Sequence, residues 1–290
     1  MKRIFLFLLT NLAVVTTISI ILGVLGVRPG DGLLPMAIFC FIWGMGGAFI
    51  SLAISRWMAK RGMGVQLVDG NTGNPDADWL YRTVEKLAQQ AQLHTPEVGI
   101  YNSPEVNAFA TGPSRNRSLV AVSSGILRAM KRNELEAVLA HEISHIGNGD
   151  MVTMTLLQGV MNSFVMFIAR IIASVVAGNS RNERGSSMMY FVVRVVAEIV
   201  LGIAGSLVTA SFSRHREFRA DAGGAALAGG ENMVAALRRL ADGPQVMDPR
   251  APALASFKIS GSPSRFAALF STHPPLEVRI QALRHNLVQN

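Results

Sequence analysis

Two histidines and a glutamate lie close together in the segment His141-Glu142-Ile143-Ser144-His145. The segment belongs to an apolar stretch with helical spacing, predicted as a helix over residues 134–146. On a helix, residues four positions apart share a face, so both imidazoles can bind one metal ion while Glu142 projects toward a metal-bound water. This is the arrangement of zinc hydrolases. The alternative is a helix with two surface histidines.

The ends of this helix are predicted from local signals. Asn133 is the predicted N-cap, with Glu136 three residues further on as in a capping box. Gly147 is the predicted C-terminal end, because glycine commonly terminates helices.

A catalytic zinc ion takes three protein ligands and keeps one position for water, so a third ligand must come from elsewhere. Glu217 is the best candidate, in the segment Arg216-Glu217-Phe218-Arg219-Ala220-Asp221 that follows the last long apolar run. Asp221, one turn further along the same predicted helix, can accept the N–H of a ligating histidine and fix its orientation. Glu217 could instead form a solvated ion pair with Arg214 or Arg219.

The composition predicts an integral membrane protein. Half of the 290 residues are hydrophobic and only 16% are charged, fewer than in soluble domains. Residues 4–27 and 33–55 carry no charge and are each long enough to cross a bilayer. The first run exceeds the apolar region of a signal peptide, which favours an uncleaved anchor. Two further apolar runs, 151–177 and 188–212, are separated by a polar loop and predict a membrane hairpin, giving up to four transmembrane helices.

Charged residues interrupt the two later apolar runs. Arg170 lies in the first of them, and Arg194 and Glu198 lie in the second. In an antiparallel hairpin Arg170 and Glu198 reach similar depth, so we expect Glu198 to neutralise one or both arginines. The alternatives are charges that face a water-filled cavity, or runs that form buried helices of a soluble core.

The distribution of lysine and arginine predicts the orientation of the chain. Arg28, Arg181 and Arg184 flank the apolar runs on one side, and the other side has Lys2, Arg3, Arg56, Lys60, Arg61, Arg214, Arg216 and Arg219. The positive-inside rule therefore places both termini, the segment from about 59 to 150 and the tail after residue 213 in the cytoplasm. The formal net charge is +8, but once these residues are assigned to the ends of the apolar runs, no basic run remains for nucleic acid.

The predicted domain organisation alternates between membrane and cytoplasm. Residues 1–58 would form two transmembrane helices and 151–212 the membrane hairpin. Residues 59–150, with the metal-binding helix, and 213–290, with the third ligand, are each small for an independent core and are expected to fold together as an α+β domain with a small β-sheet. The predicted helical and β-prone segments of this domain are, in order, 76–92, 97–101, 106–110, 118–123, 232–240 and a closing helix from about Leu276. Gly112-Pro113-Ser114 and the polar residues after it predict a hairpin connection between the last two strands.

Together, several motifs resemble the HtpX family of membrane zinc metalloproteases, relatives of the CAAX prenyl proteases with a gluzincin-type site. They are the paired N-terminal apolar segments, Asn107-Ala108-Phe109-Ala110, the residues 134–140 that lead into the His-Glu-Ile-Ser-His segment, Asn148-Gly149-Asp150, residues 217–221 and Thr272-His273-Pro274-Pro275. The resemblance covers nearly the whole chain. It implies a bacterial inner-membrane endopeptidase with one zinc ion, facing the cytoplasm, linked to heat shock and acting on unfolded or misfolded membrane proteins.

The residue types indicate a mechanism for such a site. Zinc held by His141, His145 and Glu217 would activate water, and Glu142 would take its proton and pass it to the leaving amine. The run 106–110 resembles the edge strand along which such enzymes lay an extended substrate. Asn107 and Ala108 would then offer backbone hydrogen bonds to peptide, unless the run is an ordinary strand.

Two residues near the C-terminus are assigned less directly. The family pattern suggests that His273 assists the oxyanion, but it could equally cap the last helix. Arg279 is predicted to be a structural ion-pair partner.

Two other function classes stay open. A membrane-anchored binding or quality-control protein could hold a structural or non-catalytic zinc ion. Closed structural sites usually include cysteine, however, and the single cysteine, Cys40, lies in a predicted span. The second class is a hydrolase that acts on something other than peptides. The predicted edge strand at residues 106–110 is modest evidence against this class.

Overall fold

The computed structural model describes residues 32–178, 183–242 and 270–289. Its elements are α1 Leu33–Met63, β1 Gln66–Val68, α2 Pro75–Gln90, β2 Glu97–Tyr101, β3 Ala108–Ser114, β4 Arg117–Ser123, α3 Ser124–Ala129, α4 Arg132–Asn148, α5 Asp150–Gly178, α6 Glu183–Ala228, α7 Gly230–Asp242 and α8 Leu276–Gln289. They divide into two compact units. Among the described residues, the first unit contains the chain up to Ile50 and Thr155–Thr209, and the second contains Ser51–Met154 and the chain from Ala210 onward.

The first unit is built from apolar helices. Three of the described helices, α1, α5 and α6, are long and apolar enough to cross a membrane. Large apolar side chains lie exposed on each of them, among them Phe49, Phe164 and Val200, which suits contact with lipid. The span predicted over residues 4–27 lies outside the described residues. The chain is therefore a mainly α membrane protein with an additional α+β domain.

A buried cluster of charges lies within the first unit. Arg170 Nη1 is 3.7 Å from Glu198 Oε1, and Arg194 Nη1 is 3.9 Å from the same oxygen. All three side chains are buried. Arg170 also donates a hydrogen bond of 3.0 Å to the carbonyl of Met166. The predicted grouping of Glu198 with both arginines is confirmed.

The second unit contains a sheet of four described strands in the order β1-β2-β4-β3. β2 and β4 are parallel, whereas the two outer pairs are antiparallel. Side chains of β2 and β4 join α2 and α4 in one core that includes Leu80, Leu87, Val120 and Ile143. Phe109 and Leu119 form a smaller cluster with Ala59 from the end of α1.

The predicted hairpin connection between the last two strands is confirmed, but Gly112-Pro113-Ser114 belong to β3 and not to the turn. β3 continues through Ser114 and pairs with β4 across a register shift between Thr111 and Ser114, so the turn lies at Arg115 and Asn116. Gly112 and Pro113 lie within this irregular part of the strand pairing. Proline is tolerated there because β3 is an edge strand. The short strand β1 had no counterpart in the predictions, because three residues give little periodicity.

The predicted limits of the metal-binding helix are wrong. α4 begins at Arg132, and Glu134 Oε2 accepts the Lys131 backbone N–H at 2.9 Å, in place of a cap by Asn133. The helix passes through Gly147 and ends at Asn148, because Gly149 takes the left-handed conformation with φ 70°. Glycine adopts that conformation without the steric penalty of a Cβ.

The buried charge cluster predicts a specific pattern of stability in detergent. Arg170→Leu and Glu198→Leu should each lower the Tm, because each leaves an opposite charge buried without its partner. The double variant should recover much of either loss. Arg194→Leu provides the comparison for the second arginine. Thermal unfolding of the four variants measures this, and strictly additive losses of Arg170→Leu and Glu198→Leu would contradict the pairing.

Candidate active site

The structure brings three candidate ligand side chains together. The Nε2 atoms of His141 and His145 are 3.1 Å apart. Glu217 Oε2 lies 3.5 Å from His141 Nε2, and Oε1 lies 3.3 Å from His145 Nε2. The histidines lie one turn apart on α4 and the glutamate comes from α6. All three are buried, and Glu217 has no exposed surface.

These separations suit a single metal ion. Ligands that lie about 2.0–2.1 Å from a tetrahedral zinc ion are roughly 3.3–3.4 Å from one another. Both carboxylate oxygens of Glu217 are buried, and neither accepts a well-aligned hydrogen bond from a described residue. A cation between the three side chains would satisfy these oxygens. The cluster can therefore hold a metal ion.

Glycines allow α6 to approach α4 closely at this point. A Cβ on Gly224 would lie 3.1 Å from the backbone nitrogen of His141, tighter than nearly all real contacts. A Cβ on Gly223 would lie 2.6 Å from Ser144 Oγ. Larger residues at these two positions would push the helix that carries Glu217 away from the histidines.

Asp221 lies where the sequence predicts it. Its Oδ1 is 3.0 Å from His141 Nδ1, one turn beyond Glu217 on α6. Arg279 of α8 donates to both oxygens of Asp221, with a distance of 2.7 Å from Nε to Oδ2. This carboxylate can hold the His141 ring with Nε2 turned toward Glu217. Arg279 is thus an ion-pair partner, as predicted.

Asp150 was not assigned a role from the sequence. Its Oδ2 lies 2.6 Å from His145 Nδ1, so the second histidine also has a carboxylate on the nitrogen that faces away from Glu217. The available signal was an acidic residue five positions after His145, directly following a glycine. Asp150 contacts His145 only because the chain turns at the left-handed Gly149, and helical periodicity does not predict that turn.

The charges around the ligands perturb their titration. Burial lowers the pKa of His141, but the nearby carboxylates of Asp221 and Glu217 outweigh it and raise this pKa to about 9. Glu217 lies in the second unit, beyond the apolar part of α6. Burial raises its pKa, yet the charge of His273 and the two neighbouring imidazoles hold it well below its usual value. The carboxylate is therefore ionised, as a metal ligand must be.

His273 lies beside the same carboxylate. Its Nδ1 is 2.8 Å from Glu217 Oε2, and Arg279 Nη1 is 3.4 Å from that oxygen. Glu142 is buried on α4, next to His141 in the chain. The contacts above bring together five candidate residues of the sequence analysis, namely His141, His145, Glu217, Asp221 and His273. Glu142 lies on the same helix as the two histidines.

The candidate substrate strand has one unexpected feature. The backbone N–H of Asn107 donates to Ser123 Oγ at 3.2 Å, and its carbonyl accepts the Ser123 N–H at 2.9 Å. Its backbone groups therefore face β4, contrary to their expected role in binding peptide. Since antiparallel pairs alternate, the backbone groups of Ala108 are directed to the free edge of β3 instead. The buried Oδ1 of Asn107 has no hydrogen-bond partner among the described residues.

Comparisons with known proteins agree with this site. Residues 74–287 match the profile of Peptidase family M48. The chain is 49% identical to Protease HtpX of Idiomarina loihiensis over 286 residues, which cover 98% of this chain and 99% of the relative. Protease HtpX of Shewanella loihica is 52% identical over 291 residues, with 98% and 99% coverage. Protease HtpX homolog of Thiobacillus denitrificans is 51% identical over 291 residues, with the same coverage.

A solved structure has the same fold. The crystal structure of S. mikatae Ste24p aligns with a TM-score of 0.61 and 17% identity, over 92% of this chain and 62% of the Ste24p chain. This likeness concerns the fold, whereas the profile match and the high identity over nearly the full length concern ancestry. The chain belongs to Peptidase family M48, among the membrane proteases of the HtpX type.

Proposed function

We propose that this membrane metallopeptidase is an endopeptidase that uses one zinc ion held by His141, His145 and Glu217. The observation that carries the proposal is the convergence of three buried side chains whose nitrogen and oxygen atoms lie 3.1–3.5 Å apart. A set of two imidazoles and one carboxylate is typical of catalytic zinc and leaves a position for water. When bound, zinc supplies a Lewis acid that polarises the scissile carbonyl and lowers the pKa of water.

Glu142 is the general base of the proposed reaction. It lies between the two histidines in the chain and is buried, so its carboxylate acts in a site largely shielded from bulk water. Glu142 takes the proton of the attacking water and then transfers it to the nitrogen of the leaving amine. One carboxylate thus serves as base and acid in turn.

The peptide is proposed to bind along β3 as an added strand. Ala108 supplies backbone hydrogen bonds, because its backbone groups are directed to the free edge. Asn107 contributes the unpaired oxygen of its side-chain amide in place of its backbone groups. His273, close to Glu217, assists the developing oxyanion.

The proposed setting is the bacterial inner membrane, with the site and both termini in the cytoplasm. The excess of basic residues at the C-terminal ends of α1 and of the apolar part of α6 supports this orientation. In the proposed domain organisation, residues 1–58 and 151–212 lie in the membrane, and 59–150 and 213–290 form the protease domain. Unfolded or misfolded membrane proteins are the proposed substrates, since a protease anchored in the bilayer meets such chains directly.

Replacing the proposed base tests the mechanism. Glu142→Gln should reduce cleavage of unfolded casein by about 100-fold or more, because the amide keeps the shape of the side chain but cannot take a proton. Its metal content should stay that of the wild type, and any self-cleavage during purification should cease. Glu136→Gln, the same change on the same helix, is the matched control and should retain activity. Turnover by Glu142→Gln at the wild-type rate would rule out the assigned base.

The third ligand is tested by metal analysis after dialysis. Glu217→Ala should lose most of its zinc, whereas Asp221→Ala should bind it about 10- to 100-fold more weakly, because Asp221 orients a ligand without being one. Asp221→Asn is measured as well, because Asp221→Ala leaves Arg279 without its partner and could unfold the domain. Glu277→Ala, an exposed change on α8, is the control. Full zinc occupancy in Glu217→Ala would mean that another residue is the third ligand.

A further inference from the structure

The carboxylate of Asp150 is held against the second histidine of the site. Its Oδ2 lies 2.6 Å from His145 Nδ1, and the Asp150 residue is only 3% exposed. The other ring nitrogen, Nε2, lies 3.3 Å from Glu217 Oε1. Asp150 can accept a hydrogen bond from Nδ1–H, and in the neutral ring this leaves the lone pair of Nε2 directed toward the ligand cluster.

Asp150 lies at the junction of two helices, and the backbone there fixes its contact with His145. Gly149 ends α4 in the left-handed conformation, and its N–H bonds to the Ile146 carbonyl at 3.0 Å. Asp150 is then the first residue of α5, where a carboxylate is favourable beside unpaired backbone N–H groups. The position of the side chain is therefore set by the turn and does not depend on a flexible loop.

The two histidines of the site are supported in different ways. Asp221, on His141, comes from a separate helix and is itself held by Arg279. Asp150, which contacts His145, comes five residues later in the chain, directly after the turn that ends the same helix. The two carboxylates can therefore orient the two rings independently.

We propose that Asp150 is a positioning residue that fixes the tautomer and orientation of His145, and that it ties the metal site to the first turn of α5. α5 is one of the helices long and apolar enough to cross a membrane, so this residue links the ligand set to a membrane helix. The role rests on the proposed function, because it takes His145 to be a metal ligand.

Metal affinity and the visible spectrum of bound Co²⁺ test this role in the full-length protein in detergent. Asp150→Ala should weaken Zn²⁺ binding about 10- to 100-fold in competition with a chelator and should shift the Co²⁺ bands. Asp150→Asn should weaken binding less but measurably, because its amide oxygen can still accept the Nδ1 proton while the negative charge that strengthens this hydrogen bond is lost. Glu231→Ala, which removes an exposed acid from the first turn of α7, should leave both readouts unchanged.

The outcomes are distinct. Wild-type affinity and an unchanged Co²⁺ spectrum in Asp150→Ala would overturn the positioning role while leaving the proposed metal site intact. If Asp150→Ala does not fold, the isosteric Asp150→Asn decides, and a wild-type affinity and spectrum there would overturn the role. A wild-type chain that binds neither Zn²⁺ nor Co²⁺ would overturn the proposed function, and this role with it.

Discussion

The structure of the site depends on one buried carboxylate, that of Glu217. An ionised carboxylate without exposed surface is strongly unfavourable unless cationic groups surround it. Here two imidazoles face it within 3.5 Å, and His273 and Arg279 approach one of its oxygens. The close packing of α6 on α4 at Gly223 and Gly224 makes this geometry possible. Larger residues there would separate the carboxylate from its partners.

The helices that supply the ligands also belong to the apolar part of the chain. α6 is a single helix of 46 residues that contains both the apolar run and Glu217. α5 begins at Asp150, the carboxylate that contacts His145. Two of the helices capable of crossing a membrane therefore carry residues of the site. α5 and α6 therefore contribute both apolar segments that suit lipid and residues of the candidate metal site.

The sequence predicts the three candidate ligands that the structure brings together, because each has a local signal. Helical spacing places His141 and His145 on one face, and a carboxylate after an apolar run identifies Glu217. Strand β2 is predicted residue for residue, because it is a β-prone run between turn signals. Features decided by contacts between distant segments were missed. The helix passes through Gly147 and ends before Gly149, β3 absorbs a proline through a register shift, and the partner of His145 is visible only when the turn is known.

Groups of opposite charge surround the candidate metal site. Asp150, Glu217 and Asp221 bring three negative charges, and Arg279 together with a divalent ion brings three positive charges. These groups neutralise one another once the ion is bound. Without it, the carboxylates favour protonated histidines, in keeping with the raised pKa of His141.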